Sequence, residues 1–259
     1  MTPRPPAGGH GPDATDRRPG PGDPGSDPTG RGSDPKVRRS DPTGRGSDPR
    51  DRRSDVAGLG AILLAGGRAS RVGGAAKPLF DVGGRTLLAA AVTAATDASA
   101  RPITVVGPVL DESLPVAWVR EDPPFGGPAA AVVAALASWP EEDDPTWTLL
   151  LACDLAGVGA AVRRLVDDIV LLPSDTDGLC LADQSSRPQW LIGVYRTRAL
   201  RAAASALPDG GRDAPVRVLL DDLAIAVVAA PDDLTRDVDS WEDLEEARQR
   251  AAPSSEEPS

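Results

Sequence analysis

Residues 64–78 read LAGGRASRVGGAAKP, two glycine pairs with Arg68 and Arg71 between them and Lys77 beyond. Glycines let backbone amides approach a phosphate chain, and a lysine adds a point charge for its oxygens. The segment is not a P-loop, because Ala76 precedes Lys77 and Pro78 follows it, where GK[ST] is required. Nor is it the GxGxxG dinucleotide fingerprint. A glycine-rich surface loop is the simpler reading of the glycines alone. Lys77 argues for a nucleotide triphosphate loop, since the chain has only one other lysine, Lys36.

Three more segments carry acids in suggestive places. Asp154 ends the apolar run LLLACDL, and an acid at the end of a buried strand faces the ligand crevice. Its hard carboxylate suits Mg²⁺, although a turn or helix-cap role is equally compatible with its position. Asp122 lies in REDPPFGGPAAA (120–131), where it could accept from a base or ribose, or belong to a rigid strand-to-helix loop. Asp237 and Asp239 stand two apart in DVDSWEDL (237–244) before a helix start. In isolation they read as solvated acids complementing the helix dipole. Cys153, beside Asp154, reads as a small packing residue.

These residues need strands and helices to position them. GLGAILLAGG, from Gly58, predicts a strand entering a glycine turn. Strands are expected at 102–107, 116–120, 146–154, 179–183, 189–196 and 224–230. Helices are expected at 86–98, 128–139 with Pro128 in the first turn, 158–170, 196–207 and 215–223. A last helix over 240–250 has Ser240 as N-cap and Asp243 at the capping-box position. Strands alternating with helices imply an α/β fold with a mostly parallel sheet and helices on both faces.

Composition divides the chain. Residues 1–57 hold 11 of the 27 Pro and 10 of the 27 Gly, and too few apolar residues for a core. They contain a 14-residue repeat, SDPTGRGSDPKVRR (26–39) and SDPTGRGSDPRDRR (40–53), identical at 12 positions. The repeat has no apolar face, so this segment is expected to be a disordered tail, with an interaction arm as the sharper alternative. A globular domain is expected over 58–251 and a short acidic tail over 252–259. The tail's 11 basic and 9 acidic residues leave 17 basic and 30 acidic to the remainder, a net −13 within a total of −11.

Several chemistries are excluded. The only histidine, His10, lies in the tail, so the domain has no Ser-His-Asp triad, Cys-His dyad or His-containing zinc site. Cys153 and Cys180 are too far apart for a CxxC signature. No secretory h-region and no apolar run near the ~20 residues of a membrane span is seen, so a cytoplasmic protein is expected. The acidic domain argues against nonspecific nucleic-acid binding.

Taken together, the motifs resemble those of the molybdenum cofactor guanylyltransferase family. LAGGRASRVGGAAKPL resembles its LAGG-x-S/R-R-M/L-G-G-x-x-K signature, GGPAAAV its GPLAG segment and CDL its CD-x-P segment. RPQWLIGVYR resembles its HP-x-x-x-L-x-x-R segment, and DVDSWEDL its N/D-x-N/D-T-x-E-x-L ending. The resemblance implies a Rossmann-like nucleotidyltransferase fold, a three-layer sandwich. It implies Mg²⁺-dependent transfer of GMP from GTP to molybdopterin with loss of pyrophosphate. By position, Leu64, Ala65, Gly66 and Gly67 would contact the nucleotide, and Lys77 its phosphates. Arg68 and Arg71 would add charge, Asp122 would contact the nucleoside, Asp154 would bind Mg²⁺, and Asp239 would be a further metal or substrate contact. Molybdoenzymes or their chaperones are the expected recipients of the product.

The chain departs from the family pattern in four places. Gly107 stands where guanylyl members often carry Asn, CDLAGV lacks its Pro, and Arg187-Pro188 replaces His-Pro. Asp237 and Asp239 stand where Asn is frequent. These changes touch base and cofactor identity more than reaction type. The alternatives are therefore a cytidylyltransferase for molybdopterin, a transferase for another phosphorylated acceptor, and a non-catalytic nucleotide-binding accessory protein.

Overall fold

The computed structural model describes residues 58–66 and 76–252. Strand β1 (Leu59–Leu64) opens the fold and a single 3₁₀ turn follows at Lys77–Leu79. Next come the short strands β2 (Asp81–Val82) and β3 (Arg85–Thr86), then helix α1 (Leu87–Asp97), β4 (Ile103–Val106), β5 (Ala117–Val119) and α2 (Gly127–Ala137). The chain continues with β6 (Trp147–Ala152), α3 (Val158–Ile169), β7 (Gly178–Ala182), β8 (Pro188–Arg196), α4 (Thr197–Ala206), α5 (Val216–Leu220) and β9 (Ile225–Ala229). The short α6 (Asp232–Thr235) and α7 (Trp241–Ala251) complete it.

Seven strands form one sheet in the order β5-β4-β1-β6-β8-β7-β9. All adjacent pairs are parallel except those involving β8, which runs against both β6 and β7. The reversal follows from the β7–β8 hairpin, whose turn is held by Asp183 accepting from the amides of Ser185 and Arg187 at 2.9 and 3.0 Å.

Two apolar clusters sandwich the sheet. Along β1, Ala61 and Leu63 point into one and Ile62 into the other, as alternation on a pleated strand requires. The first cluster holds α1 and α3, where Val158, Ala161, Val162, Leu165 and Ile169 recur on one helical face. The second holds α2, α4 and α5, with Tyr195 fully buried and donating its hydroxyl to the Trp190 carbonyl at 2.8 Å. The expected three-layer α/β architecture is therefore present. Among the described residues no helix is long and apolar enough to cross a membrane.

The expected elements appear with small shifts at their ends. Helix α5 stops at Leu220 instead of reaching 223. Asp221 and Asp222 would place negative charge at the negative end of the helix dipole. The β2–β3 hairpin was not anticipated. It turns on Gly83 and Gly84 at φ +64° and +80°, conformations that suit a two-residue hairpin loop.

Candidate active site at the strand ends

Register places the candidate site. Leu64 lies level with Val106 on one side and Ala152 on the other, and Val106 lies level with Val119. Four parallel strands thus finish in line, and the residues after them form the rim of the sheet. The chain leaves β1 for β4 on one side and later returns to β6 on the other, so a crevice opens at the end of β1.

At that end the Cys153 amide donates to the Leu64 carbonyl at 3.1 Å, and the Ala65 amide to the Val106 carbonyl at 3.0 Å. The first amide beyond these sheet bonds is that of exposed Gly66. Gly107 covers the same spot from β4. Its φ is +149°, and a Cβ there would lie 3.2 Å from both the Ala65 carbonyl carbon and the Gly66 nitrogen. The close approach of two backbones and the positive φ both favour glycine over a residue with a side chain here.

Asp154 follows β6, and the C-terminal segment is laid against it. Leu155 and Asp237 form an isolated antiparallel bridge, and the Val238 amide donates to the Asp154 carbonyl at 2.8 Å. In this extended stretch alternate side chains share a face. Carboxylate oxygens of Asp154, Asp237 and Asp239 accordingly come within 4.8 Å of one another. The approach depends on Gly157, where a Cβ would sit 2.0 Å from the Asp233 carbonyl oxygen. Only a glycine lets the α6 turn pack so close to the loop after Asp154.

Lys77 reaches the cluster from the opposite direction. Its ammonium is ion-paired with Asp239, and its side chain is 17% exposed. Phe80, Leu87, Val238, Leu244 and Ala247 form a third small core, which holds the Lys77 turn against the segment carrying Asp239. Helix α7 is locked by the expected capping box. Ser240 Oγ accepts from the Asp243 amide at 3.1 Å, and the Asp243 carboxylate accepts from the Ser240 amide at 2.8 Å. The Ser240 hydroxyl holds the Asp243 carboxyl below its ordinary range.

Burial and the crowding of like charges shift these acids upward. Burial, then the Asp237 charge, pushes the Asp154 carboxyl up to about 6, against the pull of Lys77. Burial and Asp239 push Asp237 upward as well. The buried Cys153 thiol is driven far up by burial and by Asp154, so it packs as a neutral group. A lysine and acids with raised pKa at the ends of parallel strands can bind a divalent cation and a polyphosphate together.

Of the residues singled out from sequence, Leu64, Ala65, Gly66, Lys77, Asp154 and Asp239 meet at this point of the rim. Asp122 is exposed beyond β5, three strand spacings from β6, a separation of roughly 14 Å. Gly67, Arg68 and Arg71 lie outside the described residues. Asp237 was noted in sequence without a site role. Its signal was the two-residue spacing from Asp239, which in an extended chain puts both carboxylates on one side.

Residues 61–226 match the MobA-like NTP transferase domain. A probable molybdenum cofactor guanylyltransferase of Synechococcus elongatus is 33% identical over 162 residues, covering 59% of this chain and 79% of that protein. The molybdenum cofactor guanylyltransferase of Pseudomonas putida is 28% identical over 180 residues, 66% of this chain and 87% of its own. The crystal structure of Rv0371c from Mycobacterium tuberculosis has a TM-score of 0.55 at 20% identity, covering 75% of this chain and 99% of that one. A structure of Rv0371c in complex with manganese, also 20% identical and with the same coverage, has a TM-score of 0.52. Agreement at that identity is agreement of fold. The domain match spans the sheet from β1 into β9, with Lys77 and Asp154 inside it, and the chain belongs to the MobA-like NTP transferase family, whose members are nucleotidyltransferases.

Proposed function

We propose that this chain transfers GMP from GTP to molybdopterin, releasing pyrophosphate and forming the guanine dinucleotide cofactor. The observation that carries the reading is the meeting of Lys77 with Asp154, Asp237 and Asp239 beside the end of β1. The choice of guanine and of molybdopterin is supported by the two guanylyltransferase relatives.

The acid cluster fits Mg²⁺ or Mn²⁺. It offers hard oxygen donors and no sulfur or imidazole, and Asp154, raised first by burial and then by the Asp237 charge, gains a counter-charge from a cation. When bound, the dication supplies charge neutralisation at the triphosphate. Lys77 binds the phosphate oxygens in exchange for its Asp239 partner. We assign the Gly66 amide, first beyond the sheet bonds, to the same phosphates, and the sequence assigns Gly67, Arg68 and Arg71 to them as well. Asp122, at the far end of the rim, receives the nucleoside.

The nucleophile is the terminal phosphate oxygen of the acceptor. It attacks the α-phosphorus of GTP, a new P–O bond forms, and the bond to the β-phosphate oxygen breaks with pyrophosphate carrying away the electron pair. A phosphate dianion needs no general base, which agrees with the lack of histidine beyond His10. The chain's task is alignment and charge stabilisation.

Mass spectrometry of the products formed from GTP and from CTP with molybdopterin tests the reading. A guanine dinucleotide product supports it, and CTP selectivity would move the chain to the cytidylyl alternative. Absence of turnover with both would favour an accessory nucleotide-binding role. The activity is assigned to residues 58–251, so deletion of 1–55 is expected to preserve it.

A further inference from the structure

Among the described residues, Trp241 is one of two strongly exposed aromatic side chains, with Phe125. It opens α7 yet is 57% exposed, and one face of its ring is stacked on Phe80 at 5.3 Å between centroids and 30° between planes. An exposed indole beside a charged cluster commonly marks a contact surface.

Its location is tied to the candidate site by two contacts across one seam. Lys77 pairs with Asp239, and Phe80, three residues on, stacks with Trp241, two residues on. The seam is rigid. The capping box fixes the start of α7, Leu244 and Ala247 are buried under it, and Arg248 donates to the Asp81 carbonyl at 3.0 Å. The ring is therefore held in place before any ligand arrives.

We propose that Trp241 is the stacking platform for the pterin ring of the acceptor, and that it sets affinity for the acceptor rather than for the nucleotide. The proposal rests on the nucleotidyl-transfer reading above. A substrate with a flat ring and a terminal phosphate matches an open indole face next to a phosphate-handling lysine. The nucleotide base is assigned to the other end of the rim, by Asp122. The other strongly exposed aromatic, Phe125, lies in that loop, and the Arg120 guanidinium sits over its ring at 5.7 Å.

The test uses the full chain with GTP, Mg²⁺ and molybdopterin, comparing wild type with Trp241→Ala and Trp241→Phe. Loss of one stacking partner is expected to raise the KM for molybdopterin about tenfold in Trp241→Ala. The KM for GTP should stay within about twofold, since no stacking on the base is lost. Trp241→Phe should recover most of the loss and retain the contact to Phe80, which separates stacking from folding. A second readout does not need turnover: titration with a soluble pterin monophosphate should quench tryptophan fluorescence in wild type and much less in Trp241→Phe.

An unchanged acceptor KM in Trp241→Ala, or equal rises for acceptor and GTP, overturns the platform while leaving the transfer reading standing. Quenching that depends on Trp241 without any transfer supports the platform and sinks the transfer reading. Neither quenching nor transfer in wild type rejects both.

Discussion

Lys77 and Asp239, 162 residues apart in sequence, form an ion pair at the edge of the carboxylate cluster. The pair fixes the Lys77 ammonium beside the acids at the rim of the sheet. On the proposed reading the two part company, the nucleotide taking the lysine and a cation the acid.

Replacing Lys77 by Ala is expected to lower pyrophosphate release from GTP and acceptor by about 10²- to 10³-fold, the range seen when one charge-stabilising donor is removed. Stability should change by no more than about 1 kcal/mol, because Asp239 is partly exposed. Chemical denaturation alongside a steady-state assay checks both. An unchanged rate would remove Lys77 from the mechanism.

Asp154→Asn should separate stability from activity. The amide removes a crowded negative charge while keeping the shape, so the metal-free protein is expected to gain roughly 1–2 kcal/mol near neutral pH. Turnover should fall by at least about 100-fold as the strand-end carboxylate is lost. Differential scanning calorimetry in chelator and a pyrophosphate assay would show the opposed effects, and a destabilised variant would contradict the repulsion argument.

The same charge dictates a pH dependence. Asp154 has an ordinary value of 3.8 and is raised to about 6 in the fold, first by burial and then by Asp237. Between those values the folded chain holds a proton that the unfolded chain has released. Unfolding free energy therefore falls as pH rises through this window, by about 2–3 kcal/mol from this group. Binding of a dication needs the ionised form, so the gain in Tm on adding Mn²⁺ should be larger at about pH 7.5 than at about pH 5. Equal gains at both would argue against Asp154 as a ligand.

Gly157→Ala probes the approach that brings the acids together. Its Cβ would sit 2.0 Å from a backbone oxygen, so the loop or the α6 turn must move. A loss of about 1–3 kcal/mol is expected, with weaker Mn²⁺ binding by calorimetry. Gly159→Ala is the matched control. Its Cβ would meet only the end of the Arg163 side chain at 3.6 Å, and an alanine in α3 should be neutral or stabilising by up to about 1 kcal/mol.

Most of the scaffold was legible in the sequence because its signals are local. Apolar runs ending in glycine or aspartate marked β1 and β6, and the Ser240–Asp243 pair marked the start of α7. The Asp81–Thr86 hairpin has strands of two residues, too short for an apolar pattern, and only its glycine pair signals the turn. The site was only partly legible. Lys77 and Asp154 stood out by type and position, whereas the role of Asp237 depends on a bridge to Leu155 that no local pattern encodes. Gly107 stands out in sequence only as a departure from Asn, and the tertiary structure supplies a reason, a positive φ and a backbone 3.2 Å from where its Cβ would lie.

The Leu155–Asp237 bridge lies beyond the last strand of the main sheet, which ends at Ala229. A polypeptide terminated just after that strand would contain all seven strands yet lack two of its three clustered carboxylates. During synthesis, Lys77 and Asp154 leave the ribosome well before their partners exist. On the proposed reading, metal capture waits for the finished chain, and a nonsense mutation just after Ala229 should yield protein without turnover.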